Sequence, residues 1–308
     1  MVSVRARIAE FALPLLGIKR FFSEPDAMDG RLADMRRRKS PRPSGKWHKR
    51  FTIVEDTSRS YPLVTMLPWE GAREGAPHLL YFHGGGYVMD IAALHWDAIG
   101  RMCDGLGAGA SVPIYPLAPE VTATTTLPAM RALYDELAER HGAENLAVAG
   151  DSAGGGMALA LVLDIIRGDG PLPGSLVLFS PWLDAQADHP DMAAIEPRDK
   201  MLAPQGLKAC AARYAGDLPL ADPRLSPLEG DVSRLPPTAI LVGTSDILLA
   251  DARRLREKME ASGCAPALYR EAEAMQHVYM ILPIPEGREA LEETAAFLQQ
   301  HHGVEKNG

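Results

Sequence analysis

The sequence is organised around one short segment, Ala147-Val-Ala-Gly-Asp-Ser-Ala-Gly-Gly-Gly156. Its apolar first residues predict a buried strand, and the Ala- and Leu-rich stretch after Ser152 predicts a helix. Between them, Gly150-Asp-Ser-Ala-Gly154 has the form G-x-S-x-G, whose glycines permit a sharp turn and close backbone approach. Such a turn lifts the serine hydroxyl above the sheet, at a helix amino terminus that favours negative charge. The pattern alone also fits a plain Gly-rich turn.

From about residue 51 onward, short apolar or β-branched runs alternate with longer helical stretches. The expected strands are 51–54, 61–67, 78–82, 110–115, 146–149, 175–179, 238–242 and 265–269. The expected helices between the later strands are roughly 91–104, 125–141, 153–167, 249–262 and 286–300. This alternation predicts an α/β fold with a mostly parallel eight-stranded sheet flanked by helices. The first strands follow one another through short connections, which indicates an antiparallel edge.

The composition excludes several functional classes. The 308 residues carry 32 basic and 40 acidic side chains, a net charge of −8, which argues against general affinity for nucleic acid or anionic membranes. Cys103, Cys210 and Cys264 are widely separated and predict neither a disulfide framework nor a metal site. No apolar run reaches the ~18–20 residues of a membrane helix, and the apolar segment 11–18 is flanked by charges and lacks a cleavage site. We therefore expect a cytoplasmic protein without stable membrane insertion.

A second glycine-rich element, His83-Gly84-Gly85-Gly86, follows a predicted strand upstream of the serine. An HGGG element of this kind contributes backbone N–H donors to the oxyanion hole of lipases and esterases. Glycine suits that role because it leaves the N–H groups accessible to an oxygen that becomes negatively charged. We expect the N–H groups of Gly84, Gly85 and Ala153 to form the hole, and His83 to fix the loop by hydrogen bonding.

A serine hydroxyl becomes a good nucleophile when a histidine accepts its proton and a carboxylate fixes the histidine tautomer. His277 is the best candidate base, because it lies between the last predicted strand and the last predicted helix. Asp246 is the candidate acid at the end of the preceding strand, although it could be only the N-cap of the next helix. Asp251 is set aside as a helix cap or a solvent-facing side chain. Asp151 is expected to support the site through structure or electrostatics.

The sequence resembles the bacterial hormone-sensitive-lipase-like esterases, family IV of the lipolytic enzymes, in the α/β-hydrolase superfamily. The resemblance runs from about Leu79 to Phe297. Its motifs, in order, are His83-Gly-Gly-Gly86, Tyr115-Pro-Leu-Ala-Pro-Glu120, Gly150-Asp-Ser-Ala-Gly-Gly155, Ser180-Pro-Trp-Leu-Asp184, Asp222-Pro-Arg-Leu-Ser-Pro-Leu228, Gly243-Thr-Ser-Asp246 and His277-Val-Tyr279. Pro116 stands where the family commonly has Arg, and Tyr279 where Phe is frequent. The resemblance implies ester hydrolysis through an acyl-enzyme, without a metal or organic cofactor, in enzymes similar to acetyl-hydrolases and lactone hydrolases.

The resemblance also implies a helical cap. We assign residues 1–50 to N-terminal cap helices, and residues 51–184 and 236–308 to the catalytic domain. The stretch 185–235 interrupts the alternation of strands and helices, contains one amphipathic helix near 204–214, and is interpreted as an insertion that contributes to the cap.

The expected function is a serine carboxylesterase acting on small-molecule esters with acetyl to roughly hexanoyl groups. A lactone or N-acetyl amide hydrolase with the same triad is an alternative, and a disabled, ligand-binding hydrolase scaffold is a remote one. A fourth hypothesis is an interfacial lipase with a membrane-facing apolar stripe, although we expect these residues to cover the acyl pocket or pack on the core. The stripe would comprise Phe11, Leu15, Leu16, Ile18, Phe21 and Phe22. The last strand is predicted at a sheet edge, where a homodimer could form.

Overall fold

A single mixed sheet runs through the protein in a computed structural model that describes residues 2–303. Its strands are β1 Phe51–Asp56, β2 Leu63–Pro68, β3 His78–Phe82, β4 Ala110–Pro113, β5 Leu146–Asp151, β6 Ser175–Phe179, β7 Thr238–Gly243 and β8 Leu268–Ala272. The strand order is β1-β2-β4-β3-β5-β6-β7-β8. β2 is antiparallel to β1 and β4, and the remaining neighbouring strands are parallel. The expected α/β fold with an antiparallel edge is therefore confirmed.

Ten α-helices accompany the sheet within the described residues. They are α1 Val4–Ala12, α2 Ile18–Ser23, α3 Met28–Arg36, α4 Ala93–Leu106, α5 Ala123–His141, α6 Ala153–Arg167, α7 Pro190–Ile195, α8 Pro204–Ala215, α9 Leu249–Ala261 and α10 Pro285–His302. The stretch 185–235 thus contains two helices, where the sequence predicted one. Between residues 2 and 303, no helix has both the length and the apolar character needed to cross a bilayer.

Two strands begin later than predicted, and proline explains both differences. β2 begins at Leu63 directly after Pro62, whereas the expected strand began at residue 61. β8 begins at Leu268, three residues later than expected, because Pro266 has no N–H to donate to a ladder. Pairing with β7 starts with the Ala267 N–H, which donates to the Thr238 carbonyl at 2.9 Å.

The sheet is buried on both faces, so its central strands are apolar throughout. In β3, Leu79 and Tyr81 face one core cluster, while Leu80 and Phe82 face the other. Helices α4 and α10 cover the first face, and α5, α6 and α9 cover the second. α6 is enclosed on nearly every side, which explains why its sequence is apolar all round rather than amphipathic.

The two sheet edges are β1 and β8, so the predicted edge position of the last strand is confirmed. On β8, Arg270 pairs with Glu289 at 3.2 Å, and Glu271 pairs with Arg253 at 2.6 Å. Charges on an edge strand oppose pairing with a second chain. The homodimer through this edge stays a prediction, which size-exclusion measurement would test.

Helices α1–α3, α7 and α8, which we call the cap helices, contact loops at the carboxyl ends of the parallel strands. Arg36 of α3 donates to the Val88 and Ala118 carbonyls at 2.6 and 2.9 Å. Between α2 and α8 the contact is so close that a Cβ at Gly206 would overlap the backbone of Phe22. Glycine at this position therefore sets how closely α2 approaches α8.

We expect Gly206→Ala to destabilise the protein by about 1–3 kcal/mol, the usual cost of overpacking. The added methyl must push α2 away from α8, because the atoms that it meets belong to the Phe22 backbone. The matched control is Gly105→Ala in α4, where nothing lies within 4 Å of the new Cβ and a gain of about 0.5–1 kcal/mol is expected. Urea unfolding measures both, and equal stability of the two variants would contradict this packing.

Candidate active site

Ser152 lies in a strained turn between β5 and α6. Its φ and ψ are 52° and −122°, a conformation that a non-glycine residue adopts only when its surroundings enforce it. Backbone hydrogen bonds on both sides hold the turn: Ser152 N–H donates to Phe179 O at 2.9 Å, and Trp182 N–H donates to Ser152 O at 3.0 Å. A Cβ at Gly154 would overlap the carbonyl oxygen of Phe82. Glycine there lets α6 start directly against β3.

His277 and Asp246 approach Ser152 from the loops that follow β8 and β7. His277 Nε2 lies 2.9 Å from Ser152 Oγ, and His277 Nδ1 lies 2.9 Å from Asp246 Oδ2. All three side chains are buried. The structure therefore brings together the three residues that the sequence predicted as nucleophile, base and acid.

Asp246 is not the N-cap of α9: the N-cap position is occupied by Leu248, and no side chain within residues 2–303 caps this helix. The Asp246 Oδ1 accepts from the Leu248 N–H at 2.9 Å in the turn before α9, while its Oδ2 faces His277. Burial by itself lowers the pKa of His277, but the Asp246 carboxylate outweighs burial and raises that pKa above its ordinary value. A proton on Nδ1 directed at Asp246 leaves Nε2 free to accept the hydroxyl proton of Ser152.

In the His83–Gly86 loop, one of the N–H groups predicted from the sequence to form the oxyanion hole is not free. The Gly84 N–H donates to Asp151 Oδ1 at 3.0 Å and is therefore occupied. Within residues 2–303, the N–H groups of Gly85, Gly86 and Ala153 have no hydrogen-bond acceptor. Gly84 is required for a different reason, since a Cβ there would overlap Asp151 Oδ2. The free donors next to Ser152 are thus those of Gly85, Gly86 and Ala153.

His83 is a neutral, structural part of this loop. Its Nδ1 lies 2.7 Å from the Gly84 carbonyl, and its ring stacks on Tyr115 with centroids 4.2 Å apart. The Tyr115 hydroxyl in turn donates to the His83 carbonyl at 2.6 Å. Burial lowers the pKa of His83 to about 4. These contacts support the expected role of fixing the loop.

A second buried carboxylate–imidazole pair lies behind Ser152. Asp151 Oδ2 is 3.2 Å from His95 Nε2, and Asp151 Oδ1 accepts from the Tyr81 hydroxyl at 2.8 Å as well as from Gly84. Burial would raise the pKa of Asp151, but His95 and Tyr81 outweigh it and hold that pKa below its usual value. The sequence analysis missed His95, because a lone histidine in the first turn of α4 carries no motif.

Asp199 is another carboxylate that the sequence analysis missed. It is buried, and its Oδ1 accepts from Met201 and Leu202 N–H at 2.7 and 2.8 Å. Its Oδ2 accepts from Ile247 N–H at 2.9 Å, directly beside Asp246. Burial and the nearby Asp246 charge raise the pKa of Asp199 to about 6. Asp199 thereby ties the segment between α7 and α8 to the turn that carries the candidate acid.

The expected position of Asp251 as a helix cap or solvent-facing residue is wrong. Asp251 is fully buried, and its Oδ2 accepts from the N–H groups of Leu183 and Asp184 at 2.8 and 3.1 Å. Burial raises the pKa of this carboxyl to about 7. Only the tertiary fold brings the loop after β6 to α9, 67 or more residues away in the chain.

A buried serine, histidine and aspartate connected by hydrogen bonds, next to free N–H donors, is an arrangement suited to acyl transfer. Across residues 2–303, no group of three or more His, Cys, Asp or Glu side chains is placed to hold a metal ion. A family model described as the alpha/beta hydrolase fold matches residues 79–281. The chain belongs to the alpha/beta hydrolase fold family.

Relatives and solved structures agree with this family. The chain is 34% identical over 232 residues to a triacylglycerol lipase of Mycobacterium tuberculosis, covering 75% of this chain but only 48% of that lipase. It is 32% identical over 235 residues to an acetyl-hydrolase of Streptomyces hygroscopicus, covering 75% of this hydrolase chain and 78% of the relative.

The solved structures extend the similarity to nearly the whole chain. The esterase EstE5 superposes with a TM-score of 0.84 at 26% identity, covering 98% of this chain and 99% of EstE5. An esterase of the bacterial hormone-sensitive lipase family superposes with a TM-score of 0.76 at 27% identity, covering 91% and 99%. The resemblance inferred from the motifs is confirmed.

Asp199→Asn should move the acidic limb of the pH profile of kcat/KM to lower pH. The ionised Asp199 carboxylate contributes to the raised pKa of His277, and only neutral His277 can accept the Ser152 proton. Removing the charge lowers the pKa of His277, so a larger fraction of the hydrolase is active on the acid side. The control is Asp188→Asn, an exposed carboxylate just before α7. An unshifted limb in a natively folded Asp199→Asn variant would contradict the assignment.

His95→Ala should lower kcat with little change in KM. The decrease should reach at most roughly 10²–10³-fold, which is the usual cost of losing one oxyanion donor. The reason is that Asp151 loses its ion pair and holds the Gly84 N–H less firmly, which loosens the loop that carries the free N–H donors of Gly85 and Gly86. His95→Gln, which keeps an N–H donor, should recover part of the loss, and His48→Gln at an exposed position should change nothing. Steady-state kinetics measure kcat and KM, and circular dichroism checks that each variant is folded. An equal kcat in His95→Ala and His48→Gln would refute the supporting role of His95.

Proposed function

We propose that this hydrolase is a serine carboxylesterase whose substrates are small esters with acetyl to roughly hexanoyl groups. The observation that carries the proposal is the continuous hydrogen-bonded chain from Ser152 Oγ through His277 to Asp246. Because all three members are present and within hydrogen-bonding distance, the geometry favours an active enzyme over a disabled, ligand-binding scaffold.

In the first half of the reaction, Ser152 Oγ attacks the ester carbonyl while His277 Nε2 takes the hydroxyl proton. The carbonyl oxygen becomes negatively charged, and the N–H groups of Gly85, Gly86 and Ala153 stabilise it. His277 then returns the proton to the leaving alcohol, and an acyl-enzyme on Ser152 remains. In the second half, His277 activates water, which releases the acid and restores Ser152.

The surroundings of the glycine loop support a preference for short acyl groups. The rings of Tyr87 and Tyr214 stack with centroids 3.8 Å apart, and the ring centroid of Trp182 lies 5.7 Å from that of Tyr87. On the cap side of the loop, a Cβ at Gly86 would meet Cys210 Sγ at 3.2 Å and Phe22 Cζ at 3.7 Å. Large buried side chains thus occupy the space beside the oxyanion donors. The name acetyl-hydrolase of the Streptomyces hygroscopicus relative agrees with this preference.

We expect p-nitrophenyl acetate and butyrate to be hydrolysed, with kcat/KM falling beyond hexanoate. Ser152→Ala should lower kcat by at least about 10⁴-fold, because triad members act as a unit, while the thermal unfolding curve stays close to wild type. Hydrolysis is followed as p-nitrophenol release on wild type and variant in parallel. Full activity in Ser152→Ala would overturn the assignment of the nucleophile.

Matched lactones and N-acetyl amides belong in the same assay, because the leaving group alone distinguishes these substrates. Faster turnover of a lactone or amide than of the ester with the same acyl group, abolished by Ser152→Ala, would keep the triad and replace the substrate class.

A further inference from the structure

Helix α1 and the short turn that follows it expose an apolar stripe to solvent. Phe11 and Leu15 are each 85% exposed, and Val4, at 73%, is nearly as open. The complete stripe consists of Val4, Ile8, Phe11, Leu15 and Leu16. The spacing of 4 and 3 residues places Val4, Ile8 and Phe11 on one face of α1, and Leu15 and Leu16 continue the exposed stripe in the short turn that follows. Such a contiguous patch marks an interaction surface.

The inner face of the same segment is occupied by the protein. Ala6 and Leu13 are buried. Glu10 accepts a hydrogen bond from Gln276, the residue before His277, at 3.3 Å. The structure also separates the six apolar residues grouped in the sequence analysis: Phe21 and Phe22 pack into the core as expected, whereas Phe11, Leu15 and Leu16 do not. The stripe is therefore the outer side of a helix that contacts the loop of the candidate base.

Two arginines border the stripe. At about 100° per residue, Arg5 and Arg7 lie on opposite flanks of the line through Val4, Ile8 and Phe11. Both arginines are exposed. Their charge is opposite in sign to the net charge of −8 of the whole chain, so this surface differs from the overall charge on which the expectation of no general affinity for anionic membranes was based. An apolar face with basic borders is the pattern of helices that lie in the headgroup region of an anionic bilayer.

A second copy of the chain fits this surface less well. A two-fold interface pairs the same patch on both subunits, so both pairs of arginines, four positive charges in all, would border one buried contact. Like charges at the border oppose such a contact, whereas anionic lipid headgroups neutralise the same charges. Charge complementarity thus favours a lipid surface.

We propose that the α1 stripe adsorbs this protein peripherally to anionic phospholipid bilayers, with Phe11 and Leu15 inserted among the acyl chains and Arg5 and Arg7 at the headgroups. Adsorption does not depend on ester hydrolysis, so either proposal can fail without the other. It also differs from membrane insertion, since α1 spans only nine residues.

Co-sedimentation with vesicles tests the proposal. Wild type should bind vesicles of phosphatidylcholine with phosphatidylserine and release them at high salt. Phe11→Ser combined with Leu15→Ser should weaken binding at least about 10-fold, because the apolar contribution is lost. Arg5→Gln combined with Arg7→Gln should weaken binding to the anionic vesicles by about 30-fold, at roughly 1 kcal/mol per charge, and should change little on pure phosphatidylcholine.

Trp69→Ser is the matched control, because Trp69 is a large apolar side chain that is 63% exposed, as Leu16 is, and lies just after the end of β2, on another part of the surface. It should bind like wild type. Size-exclusion chromatography with light scattering runs alongside. Absence of wild-type binding to anionic vesicles, or undiminished binding by the Phe11/Leu15 variant, overturns the proposal. So does a wild-type dimer that this variant converts to monomers without vesicle binding, since the stripe would then be an interface between copies.

Discussion

The left-handed conformation of Ser152 is the constraint on which the rest of the structure depends. A serine at φ 52° is costly, and it persists because backbone hydrogen bonds to β6 and to the loop after it hold the turn between β5 and α6. The turn also requires α6 to begin against the carbonyl of Phe82, which only a glycine at position 154 permits. The sheet, which helices cover on both faces, provides the rigid neighbours that hold this turn. The turn presents the serine to the loops that follow β7 and β8.

Electrostatics around the turn are arranged as two buried carboxylate–imidazole pairs. One pair, Asp246 with His277, faces Ser152 Oγ and contains the candidate base. The other pair, Asp151 with His95, lies behind the serine and holds the Gly84 N–H. Burial lowers the pKa of each imidazole, and the negative charge of its carboxylate partner raises that pKa again, which favours the charged imidazole. A buried ion is tolerated only with such a partner, so each pair is a unit in which neither residue can be replaced alone without cost.

The cap helices have two sides with different chemistry. Inward, Phe22 and Cys210 approach the glycine loop, and Asp199 bonds beside Asp246. Outward, Phe11 and Leu15 project into solvent. The same layer therefore has two sets of residues that do not overlap, one facing the candidate site and one facing solvent.

The sequence by itself determined the fold class, the candidate triad and the strand-turn-helix around Ser152, because these depend on local patterns: apolar strands, turn glycines and the order of motifs. The sequence did not show that the Gly84 N–H bonds to Asp151, that His95 and Asp199 lie at the site, or that Asp251 is buried. Each of these features depends on a hydrogen bond between segments that are far apart in the chain. Nor could the sequence separate the exposed Phe11 from the buried Phe21 and Phe22, since both kinds of position are apolar in sequence. Tertiary packing decided these points, because burial and partnership are properties of the neighbours that the fold brings to a side chain.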